Sequence, residues 1–169
     1  AEGVIIEVPA EAPDAISSTV VLQIQGAPEI GATPIIQESD GTLRLMASEA
    51  DLHGSEIRYE SGDGKDNLGY WNNPGEFASW TFKVDRPGRF QINVEIASLG
   101  QGTFQVIAGA EKLEATAPNT GDFTKFKRLN LGMLEIANAG DVTLTVKPIS
   151  EGWSPINLKS LTLRPVVAK

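Results

Sequence analysis

From Thr42 onward the chain alternates between apolar and polar residues. Phe90, Ile92, Val94 and Ile96 alternate with Gln91, Asn93 and Glu95, and Val142, Leu144 and Val146 alternate with Thr143, Thr145 and Lys147. A period of two places the apolar set on one face of a half-buried strand. Strands are expected on this basis near residues 42–47, 56–60, 78–84, 89–97, 103–108, 126–136, 141–147 and 157–164. Turn residues separate them, at Pro87-Gly88, Gly100 to Gly102, Asn119 to Asp122 and Asn138 to Asp141. Short strands at this spacing predict an all-β sandwich. Residues 48–52 alone read as helical, for about one turn, and Gly54 stops them.

The pattern differs upstream. One strand is expected there, STVVLQIQ at 18–25, whose Val20, Val21, Leu22 and Ile24 need a sheet to pack in. Gly26, Pro28, Gly31 and Pro34 then interrupt the chain. Residues 1–43 hold seven acids (Glu2, Glu7, Glu11, Asp14, Glu29, Glu38 and Asp40) and no Lys or Arg. The other 15 of the 22 acids face all 14 basic residues. Residues 1–41 therefore read as a linker or the last strand of a preceding domain, and residues 42–169 as the sandwich.

Composition excludes several functions. The chain has 169 residues, enough for one domain with a core. It has no cysteine, which removes disulfides, thiolate nucleophiles and cysteine metal sites. A net charge of −8 disfavours nucleic acid. No apolar run is long enough to span a membrane, and no signal peptide is expected in residues 1–169. Neither nucleic acid nor membrane is an expected partner. The first residue is Ala and not Met, so an excised or processed piece is expected.

Residues 67–84, NLGYWNNPGEFASWTFKV, carry the strongest functional signal. A Gly/Asn-rich loop with two adjacent aromatics runs into a strand whose Trp80, Phe82 and Val84 share one face. The strand is core, but Tyr70 and Trp71 have little apolar cover in the sequence around them. Aromatics exposed on a loop above a β scaffold suit a binding surface.

Catalysis has few candidates. His53 is the only histidine and lies beside a turn, where a structural role outweighs that of a general base. There is no nucleophile-elbow motif, and GDGKDN at 62–67 lacks the acid spacing and closing Glu of a calcium loop. A glycosidase would need two carboxylates to converge, and the test is whether any two of Glu60, Glu76 and Asp122 do so. Catalytic residues are accordingly expected to be absent.

Sugar binding has a fuller set of residues. Aromatic faces stack on the C–H faces of sugars, and amides and carboxylates hold the hydroxyls. One loop offers Asn67, Tyr70, Trp71, Asn72, Asn73 and Glu76. A second offers Asn119 to Phe123, and a third Glu151 to Pro155, leading to Asn157. The expected site has Tyr70 and Trp71 stacking on sugar, Phe123 and Trp153 as the opposite wall, and Glu76, Asn73 and Asn157 as polar partners. The competing reading makes Trp71, Phe123 and Trp153 satellite core under the loops.

Residues 43–165 resemble a carbohydrate-binding module of the family 6 and family 35 type. The carrying stretches are LRLMASEADLHG, NLGYWNNPGEFASWTFKVDRPGRFQINVEIAS, APNTGDF, LEIANAGDVTLTVKP and INLKSLTLRP. The resemblance implies a galactose-binding-like jelly roll and a sugar cleft built from Tyr70 or Trp71, Phe123 and Asn157. Phe123 departs from the Trp usual at its position. The family often holds a structural calcium. The matching positions here are Met46, Ser48 and Lys159, and a cation there would repel the ion, so no calcium and no other cofactor is expected. With its STVVLQIQG strand and Pro-rich flank, the chain also resembles the C-terminal end of glycoside hydrolase family 29 α-L-fucosidases. That resemblance implies a secreted or periplasmic bacterial-type accessory module beside a parent catalytic domain. The alternative is a structural module packed on its parent, without its own sugar site. The sugar itself is not legible, although the acidic surface disfavours strongly anionic glycans.

Overall fold

A computed structural model describes residues 6–11, 14, 17–21, 23, 25, 26, 34–62 and 64–166. Two compact units are present, Ala1–Ala32 and Thr33–Lys169. In the first unit the described residues form neither helix nor strand. At Asp14 the carboxylate accepts from the Ser17 amide and the carbonyl accepts from the Ser18 hydroxyl. The strand expected at 18–25 is a correction: residues 18–21 and 23 are not in a strand, and Val20 and Val21 are exposed. β-Branched residues favour a strand only where a neighbouring edge exists to pair with. Leu22 and Ile24 lie outside the described residues.

The second unit is an all-β sandwich. Its strands are β1 (Ile35–Ile36), β2 (Leu43–Met46), β3 (Asp51–His53), β4 (Arg58–Gly62), β5 (Lys65–Gly69), β6 (Phe77–Val84), β7 (Gly88–Ser98), β8 (Thr103–Ala108), β9 (Glu111–Thr116), β10 (Lys127–Ile136), β11 (Gly140–Pro148) and β12 (Ile156–Pro165). One sheet runs β1-β6-β11-β8-β9, with β3 also on β6. The other runs β10-β7-β12-β5-β4, with β2 also on β12. All pairs are antiparallel except β1 with β6. The helical turn expected at 48–52 is a 3-10 turn at Ala47–Glu49 followed by β3. No helix among the described residues is long and apolar enough to cross a membrane.

The alternating residues form the core. Trp80, Phe82 and Val84 of β6 face Phe90, Ile92, Val94 and Ile96 of β7 across the sandwich, all of them buried. Each buried CH₂ contributes about 0.8 kcal/mol. The Trp80 indole N–H donates to the Met46 carbonyl at 2.7 Å, so its one polar atom is satisfied. Residues upstream of Thr42 are tied into this sandwich. The Gln37 side-chain oxygen accepts from the Asp85 and Arg86 amides, and the Arg86 guanidinium donates to the Glu38 and Ser39 carbonyls.

β12 contains an irregularity that matters for the site. Leu158 pairs with Ile96 and Ser160 with Glu95, leaving Lys159 as the extra residue of a bulge. Leu158 and Leu161 are both buried although three positions apart, because the bulge resets the alternation between them.

Candidate functional site

Three segments meet at one edge of the sandwich around a cleft of about 480 Å³. The hairpin β4–β5 and the loop after it supply Glu60, Lys65, Asn67, Tyr70 and Asn72. The loop before β10 supplies Phe123, Thr124 and Phe126, and β12 with its approach supplies Pro155, Asn157 and Lys159. The volume falls in the range of small-ligand sites.

Tyr70 is 54% exposed and has a φ of +55°. It is the one non-glycine in the left-handed region among the described residues. An L side chain there costs on the order of 1–2 kcal/mol, and such strain clusters at functional sites. The Arg58 guanidinium lies over one face of the Tyr70 ring, 4.7 Å from its centre, and braces it there. Across the cleft, the Asn157 side-chain amide donates to the Phe123 carbonyl at 3.1 Å, which fixes the Phe123 loop against β12. Gly69 lies between two residues of the cleft lining, Glu60 and Asn157. A Cβ there would collide with the Glu60 carboxylate and come within 3.0 Å of the Asn157 side-chain oxygen.

Of the three charged residues that line the cleft, Glu60 and Lys65 form a pair and Lys159, among the described residues, does not. Glu60 accepts from the Lys65 ammonium at 2.9 Å and from the Asn67 amide at 3.0 Å. Burial raises the Glu60 pKa, but these bonds and the nearby Lys65 and Arg58 charges outweigh it, and the net shift is downward. Asp122, next to the cleft, accepts from the amide and hydroxyl of Thr124, which lowers its pKa. The Lys159 ammonium lies 5.4 Å from the centre of the Phe126 ring.

The seven expected site residues divide into two groups. Tyr70, Phe123 and Asn157 line the cleft. Trp71, Asn73, Glu76 and Trp153 do not. Trp71 is fully buried and donates its indole N–H to the Glu76 carbonyl, so it cannot stack on a sugar. Trp153 meets Trp71 edge-on at 5.7 Å and donates to the Trp71 carbonyl. The two indoles pack together beneath the loops as satellite core. Glu76 is buried with its carboxylate accepting from the amides of Ser55, Glu56 and Ile57, and so holds the loop before β4 in place. Asn73 closes its own turn by accepting from the Gly75 amide. Glu60, Glu76 and Asp122 do not converge, since only Glu60 lines the cleft. His53 is engaged structurally, stacked on Phe77 at 4.2 Å and hydrogen-bonded to the Ser79 hydroxyl.

The sequence reading missed Phe126 and Lys159 as cleft residues. It matched Lys159 to a calcium position beside Met46, but the residue opposite Met46 is Ser160, and Lys159 is turned towards Phe126. The break in alternation across INLKSLTL was the signal for the bulge.

Solved structures share this fold at low sequence identity. A β-(1,4)-mannanase from Podospora anserina, described as GH26-CBM35, matches over 77% of this chain and 29% of its own, with TM-score 0.62 and 18% identity. The C-terminal CBM6 of the laminarinase LamC from Zobellia galactanivorans matches over 73% of this chain and 98% of its own, with TM-score 0.58 and 21% identity. The mosquito-larvicidal Cry4Aa toxin from Bacillus thuringiensis matches over 80% of this chain and 25% of its own, with TM-score 0.66 and 14% identity. This chain thus spans under a third of the mannanase and of the toxin, and nearly all of the isolated module. At these identities the likeness concerns the fold, a jelly-roll sandwich that carries different activities on different scaffolds. No curated protein matches the chain. A family profile does match, over residues 57–166, which run from the start of the β4 hairpin to just past β12 and so take in every segment of the cleft. The chain belongs to the family described as Domain of unknown function (DUF5077).

Proposed function

We propose that this protein binds carbohydrate non-catalytically through the cleft, as an accessory module of a glycan-active enzyme. The observation that carries this reading is the pair of aromatics, Tyr70 and Phe123, lining one cleft with the Asn157 and Asn72 amides. Tyr70 stacks on the C–H face of a sugar ring and Phe123 closes the other side, while the amides donate and accept at the hydroxyls. The fold shared with CBM6 and CBM35 modules supports the same reading. A single-sugar cleft of this size binds at about 1 mM, about −4 kcal/mol. Attachment to a catalytic domain raises the effective concentration of substrate, which makes such weak binding useful. An enzyme partner implies a secreted or periplasmic setting. An α-L-fucosidase-like parent is the finer form of this proposal, and what supports it is the resemblance of the STVVLQIQG stretch and its Pro-rich flank.

The test is a glycan array with the chain displayed multivalently. Tyr70→Ala and Phe123→Ala should each weaken binding by about tenfold or more, about 1.4 kcal/mol, while melting as folded proteins. Binding that survives both changes would remove the cleft as the site. A second reading has one observation in its favour: Trp71 is buried, as a structural module without a sugar site requires. Its partners, however, are Trp153 and Glu76 of the same sandwich. Silence of the multivalent display across the array would favour that reading.

A further inference from the structure

The cleft differs in sign from the chain that carries it. The whole chain is at −8, yet the charged residues lining the cleft are Glu60, Lys65 and Lys159, which sum to +1. Glu60 and Lys65 neutralise one another at 2.9 Å. Asp66 and Asp122 of these loops keep their charge but lie outside the cleft lining, hydrogen-bonded to the Tyr59 hydroxyl and to Thr124. Lys159 makes no ion pair among the described residues; its contact is the Phe126 ring. An aromatic face holds an ammonium in place without cancelling its charge. The β12 bulge is what presents it, since the extra residue of a bulge is re-aimed relative to a regular strand.

We propose that Lys159 makes this cleft selective for glycans carrying an anionic substituent, a carboxylate or a sulfate. This rests on the reading of the cleft as a sugar site. The sugar ring lies against Tyr70 or Phe123, and its anionic group meets the Lys159 ammonium in a charge-assisted hydrogen bond. The acidic character of the chain does not oppose this contact. Among the described acids only Glu60 lines the cleft, and its charge is met by Lys65.

The experiment uses the full chain, displayed multivalently, on an array that pairs each neutral glycan with its uronate-bearing and sulfated counterparts. The expected result is binding to the anionic member about tenfold stronger than to its neutral counterpart. Folded Lys159→Met should bring the anionic member down to the neutral level, and Lys159→Arg should keep the preference. If the methionine variant is poorly folded, Lys159→Gln against Lys159→Arg makes the same comparison. The uronate and sulfate arms distinguish the two sources of charge. Equal or stronger binding to neutral glycans, or a preference that persists in the charge-removed variants, would overturn the inference and leave the sugar site standing. Binding to no glycan of either kind would instead bring down the sugar-site reading and this inference with it.

Discussion

Tyr70 and Glu76 show how much a single residue does at this edge of the sandwich. At most positions glycine is less stable than alanine, because it loses more backbone freedom on folding. Tyr70 has a φ of +55°, where that order reverses. Tyr70→Gly should therefore be more stable than Tyr70→Ala by about 1 kcal/mol in chemical denaturation, with sugar binding lost in both. The Glu76 carboxylate accepts from three backbone amides, those of Ser55, Glu56 and Ile57. Burial raises its pKa, the three N–H bonds lower it, and the bonds prevail, so its folded pKa lies below the ordinary 4.5. A depressed carboxylate pKa stabilises the fold above the unfolded value and loses that contribution as pH falls through the folded one. The melting temperature should thus fall as pH drops below 4.5, and Glu76→Gln should flatten that part of the profile. At pH 7, Glu76→Ala strands three donors and should cost about 3 kcal/mol or more. Trp71→Ala, which removes a buried indole and exposes the edge of Trp153, should cost about 3–5 kcal/mol.

At the scale of the element, β12 ties the core to the cleft. Its inward residues Ile156, Leu158, Leu161 and Leu163 are buried, while Asn157 and Lys159 line the cleft. Deleting Lys159 leaves a sequence that alternates regularly, with all four apolar residues still inward. Deleting Thr162 puts Leu163 on the outer face, at a cost of about 1.5–3 kcal/mol for that side chain alone. The Lys159 deletion should therefore melt well above the Thr162 deletion by circular dichroism, yet lose any preference for anionic glycans. The same strand shows what the sequence makes legible. β6, β7, β8, β10 and β11 stand close to their expected bounds because each carries its own alternation. β5 reads KDNLG and looks like a turn; it is a strand because it pairs residue by residue with β4. β9, with Glu111, Lys112 and Glu114 among six residues, is likewise held by β8. Of the site, Tyr70, Phe123 and Asn157 were legible as residue types near turns. Trp71 was not, because its cover comes from Trp153, 82 positions away, and a local reading of Gly and Asn neighbours cannot see it.

At the scale of the whole molecule, the sandwich reaches further upstream than its alternation does. Gln37, Glu38 and Ser39 are hydrogen-bonded to the turn after β6, and Ile35 pairs with Phe82. A chain beginning at Thr33 should fold with little change in melting temperature, whereas one beginning at Thr42 should melt distinctly lower for want of these bonds. Comparing the two melts checks where the folded unit starts. The three tryptophans carry a consequence for how the molecule is observed. Trp71 and Trp80 are fully buried and Trp153 is half-buried against Trp71; none of them lines the cleft. Their emission is set by the packed interior, so it reports unfolding and stays flat when the cleft fills. A fluorescence titration that monitors indole would register an occupied protein as an empty one, and the optical signal of binding belongs instead to the phenol of Tyr70.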